Sequence, residues 1–303
     1  MIRTRPLRLG TRGSPLALVQ ANMVAAALRT AHGWDESAVE IVPVKTTGDR
    51  VQDRPLAEIG GKALWTKELD RALLDGDIHF AVHSMKDVET IRPEAIRIVA
   101  MLPRADVRDR LIGAESITAL PHRARIGTSS PRRAAQLRHL RPDVSIVPFR
   151  GNVDTRLRKL ADGEADATLL AAAGLERLER PDIGVAIPLD VMLPAPAQGA
   201  VGIEARADDS ETQALLAAID HGETHACVAT ERAFLAALGA DCHSPVAALA
   251  TTGGGLRGEL LSEDGAYHVT GHRTSADPAA AAELADWLLG QAPPAIARLF
   301  AGR

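Results

Sequence analysis

The first hundred residues alternate short apolar runs with longer segments of helical periodicity. Strands are predicted at 7–10, 39–44 and 78–82, and helices at 14–30 and 61–74. Ser14 followed by Pro15 is typical of a helix start, because serine caps the first turn and proline fits the first helical position. Strands joined by helices of this length imply right-handed crossovers, which predicts a largely parallel sheet.

The same pattern restarts near residue 125. Strands are predicted at 125–126, 144–149 and 167–171, and helices from 131 onward and at 153–160. The turn at Ser130-Pro131 repeats the capping chemistry of Ser14-Pro15. We therefore predict a second α/β domain of similar construction, facing the first across a cleft. The segment 193–202, rich in proline and glycine, predicts a strand that returns to the first domain.

A third unit begins near residue 222 and mixes helix and strand patterns. Its predicted helices span 224–238 and 278–289, with strand-like segments from 246 to 270 and a hairpin at the glycines 253–255. The predicted fold class is α/β, with two such domains and a smaller α+β C-terminal domain. The predicted domains are 1–103 with 200–221, then 104–199, then 222–303. Candidate hinges lie near Pro103 and in 193–202.

Composition narrows the function classes. The 303 residues are 46% hydrophobic and 24% charged, as in soluble globular proteins, and the net charge of −4 argues against bulk nucleic-acid binding. No run approaches the roughly 18 apolar residues of a membrane span, and the start lacks the apolar run of a signal peptide. Cys227 and Cys242 are too few for a disulfide scaffold or a metal site. We expect a cytoplasmic protein.

Arginines cluster where the predicted strands of both α/β domains end. Between residues 123 and 159 the chain carries ten basic residues against the acids Asp143 and Asp154. Because loops after parallel strands meet at one sheet edge, such a field suits a small ligand with several carboxylates or phosphates. Solvated surface arginines are the alternative for any single position. The candidate anion-binding residues are Arg12, Ser14, Ser130, Arg132, Arg133, Arg150 and Arg156.

Two further residues carry candidate chemistry. Asp87 follows an apolar strand and suits general acid–base work or stabilisation of a cation, although a turn-capping aspartate is an alternative. Cys242 lies in a polar loop beside His243, and a cysteine in such a place can be partly thiolate and nucleophilic. Two other classes stay open on these residues: a small-anion binding protein, and a thiol-dependent acyl transferase or hydrolase. His83 and Ser84 are interpreted as hydrogen-bonding scaffold.

Six segments, in order along the chain, resemble porphobilinogen deaminases. They are RLGTRGSPLAL from Arg8, GGKALWTKEL from Gly60, AVHSMKDV from Ala81, GTSSPRR from Gly127, RGNVDTRL from Arg150 and QGAVGIE from Gln198. The resemblance extends to about Ala248 and is weaker in the last fifty residues. Six motifs in this order are far more specific than any one of them.

The resemblance implies a fold, a reaction and a cofactor. The first two domains would resemble the halves of a periplasmic anion-binding protein, and the third would carry a dipyrromethane cofactor on a thioether to Cys242. Four porphobilinogen molecules would be added head to tail with loss of ammonia, and hydroxymethylbilane released in haem biosynthesis. The family is mainly monomeric, so we expect a monomer that binds this small substrate and neither nucleic acid nor membrane.

The resemblance also assigns roles residue by residue. Asp87 is the implied catalytic residue, and it would also contact the cofactor. The other implied cofactor-binding residues are Lys86, Ser130, Arg132, Arg133 and Arg156. The implied substrate-binding residues are Arg12, Ser14, Lys62, Trp65, Arg150, Arg156 and Arg177. Three positions depart from the family pattern: Trp65 replaces a phenylalanine, Glu58 replaces a lysine of some members, and Asp241-Cys242-His243 replaces a Gly-Cys-Gln type of sequence.

Overall fold

The computed structural model describes residues 6–44 and 66–301. The chain divides into two compact units, each described separately below. The first contains Met1–Arg104 and Ala200–His225, and the second contains Ala105–Gly199 and Ala226–Arg303. The return of the chain to the first unit after residue 199 was predicted from the Pro/Gly-rich segment. Among the described residues, no helix is long and apolar enough to cross a membrane.

The first unit is built on a five-stranded sheet of order β2-β1-β3-β10-β4. These strands are β1 Leu7–Arg12, β2 Val39–Val44, β3 Phe80–Ser84, β4 Ile96–Met101 and β10 Val201–Arg206. β1 is parallel to β2 and β3, whereas β10 is antiparallel to both β3 and β4. The parallel arrangement predicted from the sequence is therefore confirmed for four strands. The exception, β10, is the strand that brings the chain back.

The described helices that cover this sheet are α1 Pro15–His32, α2 Lys67–Leu74 and α6 Ser210–Ala217. The predicted cap is confirmed, since the Ser14 side chain accepts a hydrogen bond from Ala17 N. The apolar stripe of α1, with Val24 and Leu28 fully buried, packs against Leu9 and Phe80 of the sheet. Burial of this stripe fixes α1 on the sheet and so places its capped start beside the end of β1.

The second unit begins with another five-stranded sheet, of order β7-β6-β8-β5-β9. Its strands are β5 Asp109–Ile112, β6 Arg125–Gly127, β7 Ser145–Val147, β8 Ala167–Ala171 and β9 Val185–Ala186. Its helices are α3 Pro131–Leu140, α4 Val153–Ala161 and α5 Ala172–Arg177. β6 is parallel to β7 and β8, and β5 is antiparallel to its neighbours, which repeats the arrangement of the first sheet. The predicted repeat of construction is confirmed.

The same unit holds a three-stranded antiparallel sheet with helices, which is the predicted small C-terminal α+β part. The strands are β11 Val246–Thr251, β12 Gly255–Leu261 and β13 His268–Arg273. The helices are α7 Gly222–Leu238, which begins in the first unit and enters the second at Ala226, α8 Pro278–Gln291 and α9 Pro294–Ala297. Phe234, Leu260 and Leu284 are fully buried and form its core. The three-domain division stays a prediction, because this sheet and the preceding one lie within one compact unit.

The structure shifts two predicted strands. β3 begins at Phe80 instead of 78, because Ile78 N is bound to Ala72 O at the end of α2. β3 also ends at Ser84 instead of 82, so His83 and Ser84 belong to the strand and not to the loop that follows it. The strand predicted at 144–149 is shorter, because its parallel neighbour β6 offers only three residues for pairing.

Candidate functional site

The carboxyl ends of β1 and β3 meet at one edge of the first sheet. Arg12 is the last residue of β1, and Ser84 ends β3 and enters a 3₁₀ turn, Met85–Asp87. Because the two strands are parallel neighbours, these ends lie side by side, as the sequence predicted. A pocket opens there, lined by Arg12, Ser14, Leu16, Ala17, Gln20, Thr66, Val82, His83, Ser84, Asp87 and Val88.

Gln20 is a pocket residue that the sequence reasoning missed. It is 2% exposed, and its Nε2 donates to Ser84 Oγ at 2.8 Å. This contact fixes the hydroxyl at the end of β3 against the buried face of α1. The sequence does contain a feature that could have indicated this: Gln20 lies four residues before Val24 and one before Ala21, so its amide belongs to the apolar stripe of α1. A polar group at such a position needs a partner when it is buried.

The turn that carries Lys86 and Asp87 is anchored through Met85. Met85 is buried, and its backbone N donates to Ala200 O at 3.1 Å. Gly202 of β10 leaves room for the Met85 side chain, since a Cβ there would collide with the Met85 Sδ and lie 2.7 Å from Cγ. Lys86 is half-buried and Asp87 is exposed at the pocket. The fold therefore holds the backbone of the turn while it exposes the carboxylate.

His83 has a buried partner that the sequence reasoning also missed. Its Nε2 lies 3.1 Å from Oε2 of Glu204, a residue of β10 with no exposed surface. Burial opposes ionisation of Glu204, but its interactions with His83 and Arg92 outweigh this cost and lower the pKa of this carboxyl to about 2. The signal was a lone acid inside the apolar strand Val201–Arg206. His83 is thus a fixed scaffold residue that also lines the pocket.

In the second unit, α3 starts with the predicted cap. The Ser130 side chain accepts a hydrogen bond from Arg133 N, and Pro131 occupies the first helical position. The two arginines of this first turn are 3% and 4% exposed, and both bind Asp109 of β5. Arg132 Nη1 lies 2.8 Å from Asp109 Oδ2, and Arg133 Nη2 lies 2.6 Å from Oδ1.

Both guanidinium groups therefore have a buried carboxylate partner within the protein. Their predicted role in binding an anionic ligand stays a prediction. Burial disfavours the Asp109 anion, yet the two guanidinium charges outweigh that cost and lower its pKa. Gln198 Nε2 also donates to Asp109, at 2.9 Å. Two cations share this one carboxylate in direct contact, and Glu259 adds a more distant negative charge that acts on Arg132. The Nε atoms of Arg132 and Arg133 have no acceptor among the described residues.

The other candidate arginines of this unit lie near loops. Arg150 is half-buried next to Gly151, whose carbonyl oxygen accepts a hydrogen bond from Arg156 Nε at 3.0 Å. Arg177, at the end of α5, donates through Nη2 to Gly199 O at 2.6 Å. Burial lowers the pKa of the Arg177 guanidinium, and its buried Nε has no acceptor among the described residues. A buried guanidinium with an unsatisfied donor is suited to binding an anion.

Cys242 occupies the loop between α7 and β11. It is exposed and not part of a disulfide, whereas Cys227 is buried inside α7. Asp241 shapes the loop, since its Oδ1 accepts from His243 N at 2.9 Å and its backbone N donates to Ser244 Oγ. An exposed thiol on a turn held at both sides has room for a covalently attached group. Lys62, Trp65 and Glu58 lie outside the described residues.

A cofactor with carboxylate side chains fits the residues of the second unit. The exposed Cys242 thiol offers an attachment point, and the unsatisfied Nε of Arg177 offers a donor for a carboxylate. These features favour a multiply anionic group over a neutral one.

Comparison with known proteins gives a consistent result over nearly the whole chain. Residues 7–214 match the sequence family described as porphobilinogen deaminase, dipyromethane cofactor binding domain. Residues 225–288 match porphobilinogen deaminase, C-terminal domain. The porphobilinogen deaminase of Sphingopyxis alaskensis is 62% identical, with 98% of this chain and 97% of that protein covered. The one from Paracoccus denitrificans is 52% identical, with 95% of each covered.

Solved structures show weaker similarity. Immunogenic lipoprotein A from Vibrio vulnificus is 14% identical with a TM-score of 0.44, covering 72% of this chain and 96% of that one. The BvgS VFT2 domain of Bordetella pertussis is also 14% identical, with a TM-score of 0.41, covering 72% and 86%. Similarity at this level does not bear on function.

The sequence relatives decide between the classes left open by the residues alone. The matched ranges cover both units and contain the positions of Asp87 and Cys242. The matched family is defined by a domain that binds the dipyrromethane cofactor, so dipyrromethane is the cofactor of the family that this chain matches. The chain belongs to the porphobilinogen deaminase family.

Proposed function

We propose that this protein is a transferase that condenses four porphobilinogen molecules head to tail and releases hydroxymethylbilane. The observation that carries the proposal is the exposed Asp87, held by a turn that buried Met85 anchors, beside a pocket that Arg12 and Ser14 also line. A carboxylate fixed at the mouth of a pocket that Arg12 also lines can bind a substrate that has both an amine and carboxylates.

The chemistry of one addition gives Asp87 its role. The carbon–nitrogen bond of the aminomethyl group breaks, ammonia leaves, and a cation remains on the substrate pyrrole. A carbon–carbon bond then forms to the α-carbon of the preceding pyrrole, which gives up its proton. The Asp87 carboxylate stabilises that cation and accepts hydrogen bonds from pyrrole N–H groups. Because the turn is fixed through Met85, the carboxylate needs little reorganisation during the reaction.

Each pyrrole brings an acetate and a propionate, so the growing chain gains about two negative charges per addition, which guanidinium forks accommodate. The residues proposed to bind these carboxylates lie at strand and helix ends. For the substrate they are Arg12, Ser14, Arg150, Arg156 and Arg177, with Lys62 and Trp65 added on the family resemblance alone. For the cofactor they are Lys86, Ser130, Arg132, Arg133, Arg156 and Asp87.

Cys242 is the proposed attachment point of the dipyrromethane cofactor. When bound, the cofactor supplies a pyrrole α-carbon to which the first substrate unit is joined. The role of Cys242 is to hold that group by a thioether without being consumed in turnover, which suits an exposed thiol on a short, hydrogen-bonded loop. The cytoplasmic location and the monomeric state stay predictions.

The proposal is tested by mass spectrometry of the intact protein together with a turnover assay. The wild-type chain should carry an adduct of two linked pyrroles. The adduct should be absent in Cys242→Ser and present in Cys227→Ser, the matched control with the other cysteine changed. Asp87→Asn should keep the circular dichroism spectrum and lose porphobilinogen turnover. An unmodified mass in freshly made, active protein contradicts the role of Cys242, and near-normal turnover of Asp87→Asn contradicts that of the carboxylate.

A further inference from the structure

Arg92 lies behind the segment that carries Asp87 and contacts three carboxylates. Its Nε and Nη2 donate to the two oxygens of Glu204 at 2.8 and 2.9 Å. Its Nη1 donates to Glu89 Oε2 at 2.6 Å, and its Nη2 to Asp70 Oδ1 at 2.5 Å. The Arg92 side chain is only 8% exposed. One buried guanidinium therefore joins residues of β10 and α2 to the segment after β3.

These contacts hold the Asp87 segment from both sides. Four residues before Asp87, the His83 ring is fixed on Glu204, which is itself bound by Arg92. Two residues after Asp87, the side chain of Glu89 is fixed on Arg92, and its second oxygen accepts from Thr66 Oγ1 at 2.5 Å. The turn between these two fixed points is short, so movement at either end displaces the Asp87 carboxylate.

The electrostatics make the guanidinium essential to this arrangement. Glu204 has no exposed surface, and Asp70 and Glu89 have side chains only 16% and 18% exposed. Burial raises the pKa of Asp70, and Arg92 only partly offsets this effect. Without the guanidinium, the three carboxylates would repel one another in a poorly solvated region, and they would separate or take up protons.

We propose that Arg92 is a positioning residue, which sets the place of Asp87 by binding Glu204 and Glu89 at once. The inference rests on the proposed role of Asp87 and names the part of the chain that orients it. A lysine cannot replace Arg92 fully, because a single ammonium lacks the planar fork that reaches the two oxygens of Glu204 and a second carboxylate together.

The first measurement is steady-state turnover of porphobilinogen by Arg92→Met and Arg92→Lys. The rate is expressed per dipyrromethane-loaded molecule, with loading taken from intact mass, so that poor loading is not mistaken for slow chemistry. Since a displacement of about 1 Å in a catalytic group can cost roughly a hundredfold in rate, we expect kcat to fall by at least about tenfold in Arg92→Met. KM should change by less than about threefold, because the substitution removes none of the side chains that line the pocket.

A pH series separates positioning from general loss of stability. The charged groups that face Arg92 are Asp70, Glu89 and Glu204, with His83 behind Glu204. In Arg92→Met a buried carboxylate should take up a proton in place of the lost cation as the pH falls, which restores part of the arrangement. The ratio of wild-type to Arg92→Met kcat should therefore narrow between about pH 8 and about pH 6. In Arg92→Lys, which keeps the charge, the deficit should be smaller and nearly independent of pH.

Two variants keep the test decisive. Glu89→Gln removes one carboxylate from the contacts of Arg92 and preserves the shape of the side chain, so it replaces Arg92→Met as the test if that variant does not fold. It should also lower kcat with little change in KM. Arg180→Met removes an exposed arginine paired with Asp154 and should leave turnover unchanged. A normal, pH-independent kcat for Arg92→Met or Glu89→Gln overturns the inference. Asp87→Asn in the same assay tests the proposed function separately, since its activity could be normal only if Asp87 were not the reacting carboxylate.

Discussion

Replacing Asp109 by asparagine should destabilise the second unit by far more than the loss of an ordinary surface charge. Asp109 is 3% exposed and lies within 2.8 Å of both Arg132 and Arg133. Removing one partner from a buried ion pair costs about 3–5 kcal/mol, because the remaining charge is left buried without compensation. The Asp109→Asn variant would leave two such guanidinium groups, so we place the cost at the upper part of that range.

The assay is urea unfolding of the full chain, with Asp154→Asn as the matched control. Asp154 pairs with Arg180 on the surface of the same unit, with side chains 52% and 39% exposed, so its loss should cost less than about 1 kcal/mol. With a slope of about 3 kcal/mol per molar urea, Asp109→Asn should lower the midpoint by roughly 1 M or more at neutral pH. Equal midpoints for the two variants would refute the assignment of Asp109 as the common anchor.

The difference between wild type and Asp109→Asn should also depend on pH. The arginines hold the pKa of Asp109 in the folded protein below its value in the unfolded chain, about 3.9. The stabilisation is therefore complete above the unfolded value and is lost as the pH falls through the lower folded value. Wild type and variant should become more alike below about pH 4. A difference that is constant from pH 7 to about pH 3 would contradict the electrostatic cause.

Two further perturbations test how the first unit presents its site. Gly202→Ala should lower kcat by about tenfold or more, since a Cβ at this position displaces Met85 at the start of the Asp87 turn. The control Gly290→Ala has open space around the added Cβ and should leave turnover unchanged. Equal activity of the two variants would contradict the anchoring of the turn through Met85. Ser14→Ala should lower the free energy of unfolding by about 1 kcal/mol in urea, because the α1 cap is lost. Ser14→Asp, which can also cap the helix, should keep most of that stability. A urea midpoint for Ser14→Asp as low as that of Ser14→Ala would argue against the cap.

Local signals were enough to predict most elements of the fold. β2 and β8 begin and end at the predicted residues, because each is a short apolar run closed by polar or glycine-containing segments. The start of α1 was predicted by its cap. β4 and β5 were missed, since they pair with β10 and β8 through contacts far apart in sequence. Single-sequence periodicity contains no information on such partners.

The sequence predicted the part of the site that is built from residues at the carboxyl ends of strands. The placement of Arg12, Ser14 and Asp87 around one pocket followed from the parallel order of β1 and β3. The burial of Arg132 and Arg133 on Asp109 did not, because the sequence predicts a helix start but not which strand packs against it. Arg92 was missed for a related reason, since its three carboxylate partners come from separate segments.

The two units treat buried charge in opposite ways, and this difference matches their proposed tasks. Behind Asp87, one guanidinium, Arg92, is in contact with three carboxylates, so the described groups around it carry an excess of negative charge. Around Asp109, two guanidinium groups share one carboxylate, so the side chains in direct contact carry more positive than negative charge, with Glu259 as a more distant anion that acts on Arg132. Negatively charged neighbours favour a cation that forms at Asp87, and positively charged neighbours favour carboxylates that bind to the second unit. Because buried charges cannot be rearranged cheaply, the fold sets these two preferences before any substrate binds.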